Sequence, residues 1–213
     1  MHAGVMVLRG GKMRKFFGLV CAGLFVAGLS SFARAQDLSF GVKAGLNMAN
    51  HTAPIEGDTY KMKTGVAIGG FAEYAIDDNL AIQPELIYTQ KGLEYEYTSG
   101  GQIYKYKIKL DYIEIPLLLK YSISPGENVC PFVFAGPALG ILMSAKSDSE
   151  DIKSICNSTD IGLVLGGGVE FESGVSIDLR YDMGMTKVWD VEGEDYKDKN
   201  IVISLMVGYK LPS

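Results

Sequence analysis

What most constrains this chain is an apolar alternation with a period of two that returns along almost the whole of its 213 residues. Over residues 38–48 the even positions read Leu38, Phe40, Val42, Ala44, Leu46 and Met48, and the odd ones Ser39, Gly41, Lys43, Gly45 and Asn47. Successive side chains of an extended strand point to opposite faces, so this spacing writes one apolar and one polar face. The pattern recurs over residues 66–76, 80–88, 106–123, 131–143, 161–171, 175–185 and 201–211, which makes eight strands. In the fourth, apolar residues hold even positions to Tyr112 and odd ones from Ile113, the change of parity that a β-bulge produces. The fifth is apolar on both faces.

The connections alternate in length. Residues 77–79, 124–129 and 172–174 are short turns, whereas 50–63, 93–105, 144–158 and 187–199 are long and polar. Short turns on one side and long loops on the other, joining an even number of strands, is the pattern of an antiparallel up-and-down transmembrane β-barrel. Each segment is long enough to cross a bilayer at a tilt, and beyond the N-terminal stretch no apolar run approaches a spanning helix.

That N-terminal stretch reads as a targeting segment and is set aside before the fold is argued. Met13-Arg14-Lys15 is a basic start, residues 16–29 are apolar, and Ala33-Arg34-Ala35 has the small-x-small form of a cleavage site. The expected division is therefore residues 1–35, upstream residues and signal peptide with translation starting at Met13, and 36–213, the barrel domain. Cleavage removes five of the twenty basic residues and no acidic one, leaving a formal charge of −10. Such an acidic domain repels phosphates, which argues against a nucleic-acid partner.

Alternation alone fits either a soluble lipocalin-like barrel, apolar inside, or a membrane barrel, apolar outside. The polar face favours the second. It combines glycines and small residues with isolated charges at Lys43, Glu73, Glu85, Glu114, Lys120, Glu170, Asp178, Arg180 and Asp182. An eight-stranded barrel has an interior just wide enough to be filled by side chains, and buried charges must be paired. These nine residues are expected to form a lumenal network centred on Arg180 and Lys120, with Glu85, Glu114, Glu170 and Asp178 as partners. Tyr74, Tyr88, Tyr112, Tyr121, Tyr181 and Tyr209, on the apolar face, are the expected interfacial girdle. Tyr95, Tyr97, Tyr104 and Tyr106 flank residues 98–102 and suit a hairpin rising above the membrane.

Four motifs carry a family resemblance: Gln83-Pro84-Glu85-Leu86-Ile87-Tyr88-Thr89-Gln90-Lys91-Gly92, Tyr112-Ile113-Glu114-Ile115-Pro116-Leu117-Leu118-Leu119-Lys120-Tyr121, Ala135-Gly136-Pro137 and Asp178-Leu179-Arg180-Tyr181. In this order they resemble the PorT-type outer-membrane β-barrel family, often labelled porin family protein. The resemblance implies an outer-membrane barrel of structural, envelope or surface-interaction role, linked to protein secretion through the named member. It departs from such barrels at Leu211, where an aromatic residue commonly ends the last strand.

Chemistry is sparse. Small barrels that modify lipid A as enzymes need a histidine beside a serine. His51 is the only histidine after residue 35 and is expected to be solvated in the first long loop. No metal cluster, cofactor loop or catalytic carboxylate pair is recognisable, so no catalytic, cofactor or metal residue is expected. Asp190, Glu192, Glu194 and Asp195 crowd the last loop and are candidate surface contacts, by weak calcium binding or divalent bridging to lipopolysaccharide. The expected partners are outer-membrane lipid, lipopolysaccharide and the barrel-assembly machinery. Cys130 and Cys156 should lie at opposite ends of a strand, too far apart for a disulfide.

Overall fold

The computed structural model describes residues 38–52, 59–99, 102–126, 128–190 and 198–212. The residues read as a targeting segment, and Glu192, Glu194 and Asp195, lie outside them. Among the described residues there are nine strands: β1 (Leu38–His51), β2 (Thr59–Ala75), β3 (Leu80–Ser99), β4 (Gln102–Ser122), β5 (Val129–Ser147), β6 (Glu150–Asp151), β7 (Thr159–Phe171), β8 (Val175–Gly184) and β9 (Asn200–Lys210). All but the two-residue β6 are staves of one antiparallel barrel. Each pairs with its sequence neighbour, and β1 pairs with β9 to close the sheet. Closure leaves no unpaired edge along the wall, the condition for burying backbone in lipid.

Burial settles which way the apolar face points. On β1 Phe40, Val42, Leu46 and Met48 are exposed while Lys43 and Asn47 are buried, and every stave repeats this. The soluble, apolar-inside alternative is thereby corrected: Leu86, Leu119, Ile161, Leu179 and Leu205 all face outward, each more than half exposed. Tyr121 and Tyr209 stand exposed on the outer face close to the short-turn end. Tyr112 is instead turned into the lumen, 1 % exposed.

The expected bulge in the fourth strand is also corrected. From Ile108 to Lys120 of β4 the even residues point inward without interruption, so Ile108, Leu110 and Tyr112 are as buried as Glu114 and Lys120. The parity of hydrophobicity changes because the lumen itself turns from polar to apolar, not because the strand slips. The bulge sits on β5, where Asp111 pairs with Ser144 but Tyr112 with Leu142, leaving Met143 as the extra residue. A second register shift separates Met62 from Ala67 along β2.

The long connections are shorter than their polar composition suggested. β3 and β4 pair from Leu80 and Tyr121 up to Ser99 and Gln102, so much of the segment read as a loop is a hairpin. Its charges form a cross-strand ladder, with Glu96 bound by Lys61 at 2.9 Å and Lys105 at 3.0 Å and Glu94 by Lys107. Tyr95 stacks on Tyr106.

Candidate functional site: a tiered lumen and its cap

The inward side chains of the eight staves fill the lumen in three charged tiers beneath an apolar cap. Nearest the short turns, Lys120 binds Glu73 at 2.7 Å and Glu170 at 2.6 Å. Lys210 binds the remaining oxygens of the same two carboxylates, at 2.8 and 2.5 Å. Two cations and two anions close a ring that draws on β2, β4, β7 and β9.

The middle tier has the same balance. Glu85 accepts from Lys43 and from Gln83, both at 2.7 Å, and from the Arg180 guanidinium at 2.8 Å. Arg180 reaches Asp178 with two further hydrogen bonds of 3.0 and 2.9 Å. Glu85 and Asp178 are within 3 % of complete burial, so partners on every side are what make their charge tolerable.

The third tier is unbalanced. Lys91, 1 % exposed, is the hub of three carboxylates: Asp182 at 2.6 Å, Glu114 at 2.9 Å and Asp160 at 3.7 Å. Asn200 donates to Asp160 at 2.8 Å. Oδ1 of Asp160, Oδ1 of Asp182 and Oδ1 of Asn200 are buried with no hydrogen-bond partner. Two of the nine expected lumenal residues, Glu114 and Asp182, thus belong to Lys91 rather than to Arg180 or Lys120. Sequence reasoning left Lys91, Asp160 and Lys210 out of the network, although the parity of their strands places them on the polar face.

Four of these five cations, all but Lys210, also lie over an aromatic ring. Lys43 stands 5.0 Å from the centre of Phe71, Lys91 5.4 Å from Tyr112, Lys120 4.5 Å from Phe132 and Arg180 5.2 Å from Phe134. Such contacts stabilise a desolvated cation by about 0.5–2 kcal/mol. Two of the rings depend on glycine opposite them. A Cβ at Gly41 would stand 2.2 Å from the Phe71 ring, and one at Gly166 2.5 Å from the Phe134 ring. The glycines of the polar face therefore let rings lie flat on the wall beneath the charges. Cavities of about 10 and 20 Å³ lie beside the tiers, room for about one water each. The short-turn end opens into a bowl of about 650 Å³.

Above the third tier an apolar cluster lines the lumen, beside the buried Lys63, which donates to the Lys91 carbonyl at 3.1 Å. Leu93, Ile108, Leu110, Tyr112, Leu142 and Ala145 form its wall, and Cys156 and Val188 plug it from the loops above. The short helical turn Lys153–Ile155 carries Cys156 over the mouth, where it bridges Trp189. Burial pushes the Cys156 thiol up to about 11, which keeps it neutral. Of the candidate surface acids, Asp190 is exposed at the edge of this cap, its backbone N–H donating to Ile155 at 2.9 Å.

His51 is not the solvated loop residue its position suggested. It ends β1 opposite Asn200, is 7 % exposed, and meets Trp189 edge-on with ring centres 6.5 Å apart. Cys130 and Cys156 are free thiols, the first at the start of the β5 stave and the second beyond its other end.

Comparisons with known proteins agree with this architecture. Neisserial surface protein A superposes with a TM-score of 0.50 at 20 % identity, over 81 % of this chain and 96 % of that one. The outer membrane protein OprG from Pseudomonas aeruginosa gives 0.50 at 12 % identity, over 82 % and 96 %. The outer membrane enzyme PagL gives 0.46 at 13 % identity, over 81 % and 99 %. At such identities the likeness is one of fold. A search of curated proteins finds no match. The family described as outer membrane protein beta-barrel domain matches residues 33–190. With lipid-facing staves, a closed seam and that match, the chain belongs to the outer membrane protein beta-barrel domain family and is a protein of the outer membrane.

Proposed function

We propose that this protein is a non-conducting, non-enzymatic barrel that serves the envelope through the surface it presents outside the cell. The observation that carries this reading is the lumen. Three tiers of paired charges, aromatic rings beneath them and an apolar cap leave cavities of about 10 and 20 Å³ where a pore would need a continuous channel. With the interior committed to structure, what is offered to other molecules is the external side: the β3–β4 hairpin and the cap.

Its partners on this reading are outer-membrane lipid and lipopolysaccharide along the wall, and the barrel-assembly machinery during insertion. The PorT-type motifs extend the proposal toward protein secretion. Against catalysis stands the isolation of His51, whose ring nitrogens accept from and donate to nothing, whereas a nucleophile needs its base within hydrogen-bond reach.

Planar-bilayer recordings on the purified protein test the proposal. The expected trace shows no stable conductance step; large and long-lived steps would overturn it. Incubation with lipid A, followed by mass spectrometry of its acyl chains, should leave them unaltered. A change that is lost in His51→Ala would establish an enzyme.

A further inference from the structure

The cap over the external mouth is tied down at a few points. Asn157 donates to the Val188 carbonyl at 2.8 Å, Asp190 to Ile155 at 2.9 Å and Val188 to Asp198 at 2.8 Å. The Trp189 indole N–H donates to Asp198 at 3.3 Å. Against the inner side of Trp189 lies His51, buried, with neither ring nitrogen hydrogen-bonded. A neutral imidazole tolerates such a place. An imidazolium has two N–H donors and a full charge, and burial away from solvent penalises it.

We propose that the cap is an acid-released lid: a proton taken up by His51 drives the ring toward water and lifts Trp189 with the segment that carries it.

The groups facing His51 from each side determine the balance. From β9, Asn200 lies alongside and tempers the effect of burial without a well-aligned hydrogen bond to the ring. Asn200 is itself bound to the Tyr112 hydroxyl and to Asp160, one of the three carboxylates drawn to Lys91, and on β2 the buried Lys63 pairs with Ala49, two residues before His51. From the loops come the neutral Cys156 thiol and Asp198. Burial dominates and lowers the His51 pKa from 6.5 to about 4.

The sign follows from linkage. Between about 6.5 and 4 the open cap binds the proton and the closed cap does not. Acid therefore favours opening about tenfold per pH unit across that window, with no further effect above or below it. Asp198 works the other way. Burial raises its pKa, so its protonation favours the closed cap, within the carboxylate's own acid range.

Trp189 is the only tryptophan of the chain, so intrinsic fluorescence reports the cap alone. The experiment titrates the folded protein in detergent from pH 8 to pH 4 and measures emission and quenching by acrylamide. A reversible red shift with increased acrylamide access below about pH 6.5 is expected, while the unboiled protein keeps its compact gel migration. His51→Phe, which keeps a ring without a titrating nitrogen, should abolish the change; if it does not fold, His51→Gln takes its place. Asp198→Asn, which leaves an acceptor for the indole, should retain it. An unchanged acrylamide access in the wild type, or the same opening without His51, would overturn the lid.

Discussion

At the scale of single residues, the interior shows how a barrel of this width tolerates so many buried charges. Every cation of the three tiers named above except Lys210 has an aromatic ring beneath it as well as carboxylates beside it. Lys91 is the sharpest case because it is one cation among three acids. Replacing it with Met leaves Glu114, Asp160 and Asp182 buried together, and urea unfolding from vesicles should show a loss of about 3–5 kcal/mol, the usual penalty for orphaning a buried partner. Glu114→Gln removes one of the excess charges and should cost markedly less in the same assay. Parity made Arg180, Glu85 and Lys120 legible from the sequence, because each alternates with unmistakably apolar neighbours. Lys91 was not, since the strand seemed to end at Tyr88 once Gln90, Lys91 and Gly92 turned polar. The aromatic partners were hidden for the opposite reason: an apolar ring on the polar face, such as Phe71 or Phe134, looks like noise in an alternation until a cation is seen above it.

At the scale of the strands, the wall is held by close approach on one side and lipid on the other. A Cβ at Gly69 would lie 2.0 Å from the Leu86 carbonyl oxygen of the neighbouring stave. Gly69→Val is therefore expected to part β2 from β3 and to abolish the fast-migrating unboiled band on a denaturing gel. On the opposite face Leu46, 59 % exposed and paired with Leu205, looks into the membrane. Leu46→Arg should cost about 2–4 kcal/mol in urea unfolding from vesicles, less if the site lies nearer an interface. The eight staves and their order could be read from period and turn length; the direction of the apolar face needed the charges and glycines opposite it, and even so Tyr112 was assigned to the wrong side. The bulge could not: a shift in hydrophobic parity has two physical causes, an extra residue or a change in what the lumen contains, and only the pairing of Asp111 with Ser144 distinguishes them. Strand lengths were underestimated for a related reason. Above the membrane no apolar face is required, so Glu94, Glu96, Lys105 and Lys107 hold a ladder through charge, which resembles a loop in composition.

At the scale of the molecule, the two ends differ in openness, and the thiols mark them. Cys130 lines the open bowl at the short-turn end, which faces the periplasm in barrels of this kind. Cys156 is plugged into the external cap with its proton firmly held, its pKa near 11. A maleimide should therefore modify Cys130 in the folded protein and leave Cys156 untouched until the barrel is boiled. Modification of Cys156 first would place the cap elsewhere. The ring nearest the bowl also bears on the order in which the barrel is completed. Lys210, at the end of the last stave, bonds Glu73 of β2 and Glu170 of β7. Without that lysine the two glutamates would share the single ammonium of Lys120. The last strand thus carries the counter-ion of the ring it completes, so that zipping β9 onto β1 also neutralises that mouth, and a chain cut short of Lys210 would lack both.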